Sequence, residues 1–533
     1  MKLAFLKKVR VVISLLFFLF ILLMFLDFGN YFNQKAMAAG LYLQLAPSLL
    51  KFLTILGLGS LGFVVVIILT LLFGRVYCSS ICPLGTFQDI ATYFSKKAQK
   101  RKHQKKKIFR FQKPYNILRY SLLVITIVFL LGGSAFMLNL LDPYSNFGRI
   151  TTNLFKPMAI AANNSIVSIL ESFDLFWIYP AEYRAISLLS LLFPLAIFGL
   201  VFWFSLKKGR LYCNTVCPVG TLLGFLSKFS LFRLVIDTTK CNNCGLCEWD
   251  CKASCIDKDN HTLDVSRCVS CFNCLTVCSK GAVEYKFKWH KRSVEAHEAD
   301  LEKRGFVAGS LAMLFALFGF QSRKDSINYS KNAIVVTKAS TVPENKTFEV
   351  TPPGSSNLRF FNDKCTGCHL CVSACPTNVL QPAMLEYGLV GFMQPRMDYH
   401  TGFCNYDCKI CADICPTGAL LPFELEEKKL TQLGKAKFIQ ENCVVETEGT
   451  DCGACSEHCP TKAVDMKMCH GKRMLMPEVN EDICIGCGAC EYACPTQPYK
   501  AIFVEGNESH VLADKPKQEK LDTDIDYEED FPF

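Results

Sequence analysis

The sequence predicts a multi-pass α-helical membrane domain joined to small, cysteine-rich α+β domains. Three observations support this fold class. Half of the 533 residues are hydrophobic, and the mean hydropathy is +0.22, which is high for a soluble chain. Apolar runs of membrane-spanning length fill the first part of the chain. Most of the 30 cysteines fall in regular groups behind those runs.

Five uncharged apolar runs stand out: Val11–Leu26, Phe52–Phe73, Tyr120–Leu141, Ala185–Leu206 and Gly305–Ser322. A hydrocarbon core of about 30 Å needs about 20 helical residues, so we expect the first four runs to span a membrane, whereas the fifth is marginal. A cleaved signal peptide is the alternative for the first run, because Lys7, Lys8 and Arg10 precede it.

The distribution of charge predicts the orientation. Ten Lys and Arg and no acid lie between Lys96 and Lys113, which places that loop on the cytoplasmic side. Residues 321–533 carry 21 Lys and Arg against 31 Asp and Glu, whereas residues 1–320 carry 37 against 17. We therefore expect the N-terminus and residues 207–304 in the cytoplasm and residues 323–533 outside it. No nucleic-acid partner is expected of a basic loop between two spans.

Four cysteine quartets follow the spacing C-x-x-C-x-x-C-x-x-x-C. In bacterial ferredoxins this spacing lets three thiolates bind one [4Fe–4S] cube while the fourth binds the other cube of a pair. Zinc sites use separated pairs of ligands, so zinc is not expected. The members are Cys241, Cys244, Cys247 and Cys251; Cys268, Cys271, Cys274 and Cys278; Cys365, Cys368, Cys371 and Cys375; and Cys484, Cys487, Cys490 and Cys494.

Two further quartets have a longer first gap: Cys404, Cys408, Cys411 and Cys415, and Cys443, Cys452, Cys455 and Cys459. Six quartets provide the ligands of six [4Fe–4S] clusters in α+β ferredoxin-like domains. The segments GAVEYKF, GALLPFEL, KAVDMKM and KAIFVEG follow individual quartets, and we expect them to form strands.

Three cysteine-containing positions need separate treatment. The stretch CTGCH at Cys365–His369 also matches the C-x-x-C-H pattern of haem attachment. Because Cys371 and Cys375 complete a quartet, we expect a cluster there and no role for His369 as a ligand. Cys255 and Cys469 belong to no quartet and are expected to be buried thiols.

The last four cysteines lie in two copies of a Gly-Arg-x-Tyr-Cys-x-x-x-Cys-Pro box, as Cys78 with Cys82 and Cys213 with Cys217. A helical i, i+4 pair shares one face, and thiolates suit iron, so the two boxes predict one further iron or iron–sulfur centre. Arg75 and Arg210 could neutralise that centre, hold a quinone oxygen or serve as membrane anchors. A thiol–disulfide switch and a purely structural repeat remain alternatives.

These patterns divide the chain into five regions. They are a membrane domain with four helices and the two boxes (1–235), a cytoplasmic two-cluster ferredoxin (236–290), the fifth apolar segment (303–322), a four-cluster ferredoxin domain (355–510), and an acidic tail (511–533) that is expected to be disordered after Asp514. Lys303-Arg304 before the fifth segment is similar to a twin-arginine export signal, with an ordinary basic flank as the alternative.

The paired boxes, the four spans and the two-cluster ferredoxin resemble NapH-type membrane ferredoxins, quinol dehydrogenase components that serve periplasmic nitrate reductase. Residues 303–500 resemble the four-cluster ferredoxin NapG, as if both partners were fused. Related boxes occur in NosR-type and CcoG-type proteins, which serve copper enzymes. The resemblance implies that, of the four quartets between Cys365 and Cys494, the first pairs with the last and the second with the third. Cys494 would then complete the cube of Cys365, Cys368 and Cys371, Cys375 would complete that of Cys484, Cys487 and Cys490, and the stretched quartets would exchange Cys415 and Cys459.

Together these features predict a multi-pass iron–sulfur electron-transfer protein of the bacterial inner membrane. It would take electrons from the quinone pool and pass them to a periplasmic reductase or another redox partner. No terminal catalytic site is apparent, because no flavin or nucleotide motif is present. Two alternatives stay open: an electron-donating maturation or redox-sensing factor for a metalloenzyme, and a ferredoxin platform that faces the cytoplasm and reduces quinone. All nine histidines lie outside the apolar runs, so no membrane haem is expected.

Overall fold

The computed structural model describes residues 4–27, 29, 31–55, 57–101, 110–183, 188–287, 341–468 and 474–515. The fifth apolar segment, Lys303-Arg304, Cys469 and the tail beyond residue 515 lie outside these residues. The chain forms two compact units. The first comprises residues 1–334, 354–396 and 410–422, and the second comprises residues 335–353, 397–409 and 423–533.

Helices make up the first part of the first unit. They are α1 (Ala4–Leu26), α2 (Gln34–Tyr42), α3 (Leu45–Thr54), α4 (Gly62–Phe73), α5 (Val76–Ser80), α6 (Pro83–Arg101), α7 (Asn116–Leu131), α8 (Phe136–Leu141), α9 (Pro143–Ile150), α10 (Lys156–Glu171), α11 (Leu188–Lys208), α12 (Leu211–Thr215) and α13 (Pro218–Ser227). A π-helical turn at Thr151–Phe155 joins α9 to α10.

Two described helices, α1 and α11, are long and apolar enough to cross a membrane. The pair α2 and α3, which meet at 109°, would make a third span if the two are counted as one. The other two predicted spans are not continuous helices. The second run breaks between Thr54 and Gly62, and the third breaks at Gly132-Gly133. Glycine weakens a helix interior, and a count of apolar residues does not detect that effect.

The faces of these helices have the polarity expected of lipid contact. On α1 the large side chains of Leu16 and Leu19 are exposed, and on α11 those of Leu192 and Trp203 are exposed. The buried face of α11 instead carries Ser190, Pro194, Val201 and Ser205. Small and polar residues between helices, with large apolar residues outside, are typical of helix packing in membranes.

The first unit also contains two cysteine modules. We call residues 232–287 the first module; it has strands β1 (Phe232–Ile236), β2 (Ile256–Asp257), β3 (Thr262–Leu263) and β4 (Val283–Phe287) and helices α14 (Leu246–Asp250) and α15 (Asn273–Val277). Strand β1 pairs antiparallel with β4, and β2 with β3. We call residues 354–396 and 410–422 the second module; it has α16 (Leu358–Lys364), α17 (Leu370–Ala374), β5 (Leu380–Pro382), β6 (Pro395–Met397) and α18 (Ile410–Asp413).

The second unit holds the remaining elements: α19 (Leu425–Leu430), β7 (Thr431–Phe438), α20 (Val444–Thr447), α21 (Ala454–Glu457), β8 (Val464–Met468), β9 (Leu475–Val479), α22 (Ala489–Ala493) and β10 (Ile502–Leu512). Strand β10 pairs with β7 and β8 pairs with β9, both antiparallel. Three of the four expected strand segments therefore contain strands. The expectation was wrong for GALLPFEL at 418–425, where Pro422 lacks the N–H that a ladder needs.

Each of three helices in the first unit contacts the first module near one end and the second module near the other. At the start of α1, Lys7 Nζ donates to Thr276 Oγ1 (3.2 Å), and at its end Phe25 O accepts from Ser373 Oγ (2.6 Å). On α7, Arg119 Nη1 donates to Ser266 Oγ (3.2 Å). Beyond the other end of α7, Ala135 N donates to Asp363 O (3.0 Å).

Helix α11 repeats this arrangement. The ring of Phe193, in its second turn, lies 5.2 Å from the ring of Phe392 in the second module. Just after its last residue, Arg210 N donates to Lys252 O in the first module (3.0 Å). The first and second modules therefore lie at opposite ends of the helical part of the unit.

Candidate metal centres

In the first module, the last cysteine of each quartet joins the other quartet. Cys241, Cys244, Cys247 and Cys278 border one cavity. Burial raises the pKa of the Cys274 thiol, and the neighbouring Cys271, Cys268 and Cys251 raise it further. The packing of α14 on α15 brings these exchanged cysteines together. This is the exchange that the ferredoxin spacing predicts.

Outside the first module, Cys415, Cys459 and Cys494 each lie with the quartet next to their own in sequence, so the expected pairing of first with last quartet was wrong. Burial raises the pKa of the Cys371 thiol, and Cys368, Cys365 and then Cys415 raise it further. The physical reason is local packing, because α17 lies against α18 and α21 lies against α22.

In the second unit the same exchange joins the two quartets that lie there. Cys443, Cys452, Cys455 and Cys494 border one cavity. Burial raises the pKa of the Cys490 thiol, and the neighbouring Cys487, Cys484 and Cys459 raise it further. Cys459 therefore belongs with the last quartet, and Cys494 with the preceding one. Cys404 and Cys408 lie in the second unit, whereas Cys375 and Cys411 lie in the first.

His369 is completely buried, and both ring nitrogens have partners. Nδ1 lies 2.9 Å from Asn153 Nδ2, and Nε2 lies 2.9 Å from Met393 O. Because a carbonyl only accepts, the ring is protonated at Nε2 and accepts the Asn153 amide at Nδ1. The imidazole therefore ties the second module to the π-helical turn, which gives it a structural role in place of a haem ligand.

Cys255 is buried beside the second cluster position of the first module. Its Sγ lies 3.5 Å from that of Cys251, and its thiol also hydrogen-bonds Cys268. A thiol in this position can donate to a ligating thiolate. The sequence places Cys255 outside every quartet, and only the fold brings it to one.

The two boxes form a four-cysteine site made of Cys78, Cys82, Cys213 and Cys217. All four side chains are 2–3% exposed, and they lie in one buried core. Burial raises the pKa of the Cys82 thiol, and Cys213 and Cys78 raise it further, so the sulfurs of both boxes are neighbours. Each box places its first cysteine in a short helix, α5 or α12, and its second cysteine just before α6 or α13.

The boxes are related by an approximate twofold exchange of contacts. Arg75 Nη2 donates to Cys213 O (3.1 Å), and Arg210 Nη1 donates to Cys78 O. Gly220 N donates to Cys217 Sγ (3.3 Å), and Gly85 N makes the same bond to Cys82. Each arginine therefore fastens the opposite box, and each second cysteine accepts a backbone N–H.

Close packing explains the glycine two residues after each box's proline. A Cβ on Gly85 would lie 2.3 Å from Cys78 O, and a Cβ on Gly220 would lie 2.1 Å from Cys213 O. Real Cβ atoms do not approach a carbonyl oxygen so closely. Glycine is therefore required where α6 and α13 pass the first cysteine of their own box.

Buried positive charge surrounds the four sulfurs. Arg75 and Arg210 are 0% exposed, and Arg75 Nη2 lies 3.8 Å from Cys78 Sγ. Arg10, Arg210 and Lys252 share a single carboxylate, Asp89, at 2.9 to 3.2 Å. Among the described residues, Arg75 has no carboxylate partner within 4.0 Å. Buried charges are normally paired, so this excess of cations fits an anionic centre.

Asp89 was missed by the sequence reasoning. It is the only acidic residue in α6, which is otherwise neutral or basic, and that isolation was the available signal. The attraction of Arg210, Lys252 and Arg10 overcomes the effect of burial and lowers the pKa of the Asp89 carboxyl far below its usual range. Asp89 therefore stays ionised and holds the basic residues of both halves and of the first module together.

The four-cysteine site fits an iron–sulfur centre better than a single ion or a quinone. Sulfurs around one tetrahedral ion lie about 3.8 Å apart. The box sulfurs are not that close together, because in the described part of the chain the one group of three metal-ligand atoms within 4.8 Å of one another is Glu344, His400 and Glu491. Lys346 already pairs with both glutamates there, at 3.4 and 2.9 Å.

The two box arginines point to the same conclusion. Arg75 Nε and Arg210 Nη2 are buried nitrogens without a hydrogen-bond acceptor among the described residues. Both side chains are fully enclosed, which favours charge compensation of the centre over contact with a quinone oxygen.

Comparison with known families finds iron–sulfur domains along the chain. A "4Fe-4S binding domain" model matches residues 55–102 and again 190–236, the two segments that carry the boxes. A second model of that description matches residues 358–381, and a "4Fe-4S dicluster domain" model matches residues 403–463 and 448–498. The chain thus carries several [4Fe–4S]-binding domains. No solved structure matches the chain.

Curated relatives cover parts of the chain. An uncharacterized protein of Methanocaldococcus jannaschii is 42% identical over 74 residues, 14% of this chain and 29% of that protein. A second uncharacterized protein of the same organism is 26% identical over 244 residues, 44% of this chain and 84% of that protein. The ferredoxin-type protein NapH of Haemophilus influenzae is 26% identical over 238 residues, 42% of this chain and 67% of NapH. The chain is therefore similar to ferredoxin-type electron carriers.

Proposed function

We propose that this protein is an iron–sulfur electron carrier of the bacterial inner membrane that oxidises quinol and passes the electrons to a periplasmic reductase. It combines a NapH-like half with a NapG-like four-cluster half. Its ligands are the six cysteine quartets, for six [4Fe–4S] clusters, and the four-cysteine site, for a further iron–sulfur centre. The observation that carries the proposal is the buried, cation-rich four-cysteine site between two cysteine modules.

The arrangement of α1, α7 and α11 supports a multi-pass topology. Each contacts the first module near one end and the second module near the other, and a 23-residue helix such as α1 is about 34 Å long. That length matches a hydrocarbon core of about 30 Å. With the basic loop 96–113 in the cytoplasm, the first module faces the cytoplasm and the second faces the periplasm. Because α1 packs along this whole height, it is a retained helix in this proposal.

A cavity beside the second module suits quinol. Thr152, Lys156, Tyr183 and Cys375 are among the residues that border it. The Thr152 and Tyr183 hydroxyls can orient the quinol oxygens, and a cluster-ligating cysteine lies in the wall. Oxidation of a quinol releases two electrons and two protons, and the neighbouring clusters accept the electrons one at a time.

The test uses the purified full-length chain in lipid nanodiscs. Duroquinol should bleach the visible iron–sulfur absorbance under anaerobic conditions, and iron analysis should give about 24 atoms for six cubes plus those of the additional centre. The variant Cys78→Ala/Cys213→Ala should lose iron while dithionite still reduces the six cubes. If dithionite reduces the wild-type protein and no quinol does, the quinol role is wrong. Unchanged iron in the variant would exclude the additional centre.

A further inference from the structure

We infer that the four-cysteine site and α9 form a fixed path that carries electrons across the membrane between the first and second modules, without a mobile carrier. The inference rests on the topology of the proposed function but not on quinol. It adds a second activity, which is to deliver electrons from a one-electron donor in the cytoplasm to the periplasmic clusters.

The path lies in one continuous buried core. That core contains Cys271 of the first module, the four cysteines of the two boxes and Cys368 of the second module. Electron tunnelling falls steeply with distance and is faster through packed atoms than through gaps. A chain of cluster ligands inside one close-packed core is therefore the arrangement that such transfer requires.

On the first-module side, the boxes contact backbone next to cluster ligands. Asn214, which follows Cys213, donates from Nδ2 to Ala253 O (3.3 Å). Arg210 N donates to Lys252 O (3.0 Å), and Arg75 Nη1 donates to Ser266 O (3.1 Å). Lys252 and Ala253 directly follow the ligand Cys251. The four sulfurs are thus connected to the nearer cube by short hydrogen-bonded routes.

On the second-module side, α9 lies between a box and the loop of a cluster ligand. Tyr212, which precedes Cys213, accepts a hydrogen bond from Asn146 Nδ2 on α9 (3.1 Å). On the same helix, a Cβ at Gly148 would lie 2.2 Å from Cys368 O. The helix therefore touches the box on one side and the cluster loop on the other, and an α-helix with its side chains is about 10 Å across.

Buried aromatic and cationic groups complete this side. Tyr77, Tyr144 and Tyr212 are 0–2% exposed and fill the space around α9. Arg149, also on α9, donates from Nε to Gly367 O (2.7 Å), which places a buried guanidinium beside the ligand loop of Cys368. A fixed positive charge at that point stabilises the reduced state of the neighbouring cube and favours transfer toward the second module.

The transfer is a sequence of one-electron steps. With clusters bound, a cube held by the first module would lose one electron, the centre held by Cys78, Cys82, Cys213 and Cys217 would pass it on, and a cube held by the second module would gain it. No bond forms or breaks, and no proton needs to move. The electron enters from a soluble low-potential protein or a chemical reductant. The donor can approach the cluster at Cys244, a ligand that is exposed.

Sealed proteoliposomes made without quinone provide the test. Titanium(III) citrate is added outside only, with valinomycin and K⁺ to cancel the membrane potential. Wild-type protein in either orientation should then be reduced at all clusters, as counted by EPR spin integration. In the variant Cys78→Ser/Cys213→Ser, reduction should stop at the clusters that face the reductant. Detergent, which opens the vesicles, should then allow the remaining clusters to be reduced. The variant Gly199→Ala is the control, since a Cβ there meets nothing within 4 Å.

A wild-type protein whose reduction stops at the clusters on the reductant's side, and becomes complete only when menaquinone is added, would overturn the inference in favour of a mobile quinol. This arm needs no variant, so it decides the question even if the double serine chain does not fold. A failed quinol test together with complete reduction in sealed vesicles would reject the proposed quinol oxidation and keep the electron path. The two proposals therefore fail separately.

Discussion

At the scale of single residues, a threonine stands two positions after the last cysteine of every quartet between residues 365 and 494. The Sγ to Oγ1 distances are 3.6 to 3.7 Å for Thr377, Thr417, Thr461 and Thr496. Thr496 differs, because its hydroxyl donates to Asn442 O (3.1 Å) and cannot donate to sulfur as well. Donors to cluster sulfur stabilise the reduced cube and raise its potential.

The substitution Thr461→Val should lower the midpoint potential of the cluster that Cys459 completes. A hydrogen bond worth about 1 kcal/mol corresponds to roughly 40 mV for a one-electron couple. EPR-monitored redox titration measures the shift. The matched control is Thr496→Val, whose potential should stay within the error of the titration. Equal shifts in both variants would show that the hydroxyl proton is not what sets the potential.

At this scale the spacing of the cysteines predicts the quartets as ligands, since a cube needs thiolates at defined intervals. The surroundings of the cysteines could not be predicted in this way. The spacing could not identify Asp89 or Cys255, because neither belongs to a repeated motif and each meets its partners only in the fold. The exchange of Cys415 and Cys459 also depends on which short helices pack together.

At the scale of elements, β10 carries the half-buried His510, whose Nε2 lies 2.9 Å from Thr351 Oγ1. Burial lowers the pKa of His510 to about 4 from about 6.5. Between these values the unfolded chain binds a proton that the folded chain does not bind. The stability that this histidine contributes is therefore complete above pH 6.5 and is lost as the pH falls toward 4.

The variant His510→Gln should remove this part of the pH dependence. The temperature at which cluster absorbance is lost should fall between pH 7 and pH 5 for the wild type and fall less for the variant, a difference that corresponds to at most about 2 kcal/mol of stability. The exposed His400 offers the control substitution His400→Gln, which should behave as the wild type does. Identical slopes in all three proteins would contradict the assigned cause.

Helix continuity was the element-scale feature that the sequence did not predict. Hydropathy predicted four continuous spans, and the structure has α1 and α11 continuous but the other two runs broken at glycines. The strands that follow quartets were easier, because β4 and β10 contain β-branched and aromatic residues that favour strands, such as Val283 and Tyr285 in β4 and Ile502 and Phe503 in β10. The failure at Pro422 shows that one missing N–H outweighs such composition.

At the scale of the whole molecule, the charge split and the helices with a module near each end predict a periplasmic C-terminus. Alkaline phosphatase fused after Phe533 should be active in a bacterial host, whereas the same enzyme fused after residue 240 should be inactive. Activity measured on colonies and normalised to fusion protein by immunoblot is sufficient. Inactive phosphatase at Phe533, with fluorescence from a cytoplasmic reporter at that position, would select the ferredoxin platform that faces the cytoplasm.

The twofold exchange between the boxes has a consequence for the origin of the protein. One family model matches two segments of nearly equal length, each with two of the four sulfurs and one arginine that reaches into the other. A gene for a single such segment could build the complete centre as a homodimer, so duplication and fusion are a direct route to this chain. Asp89 in one copy stands where the other has Gly224, and the two halves have since diverged. In such a homodimer the two faces of the centre would be equivalent, whereas in this chain Asp89 of one copy binds Lys252 of the first module.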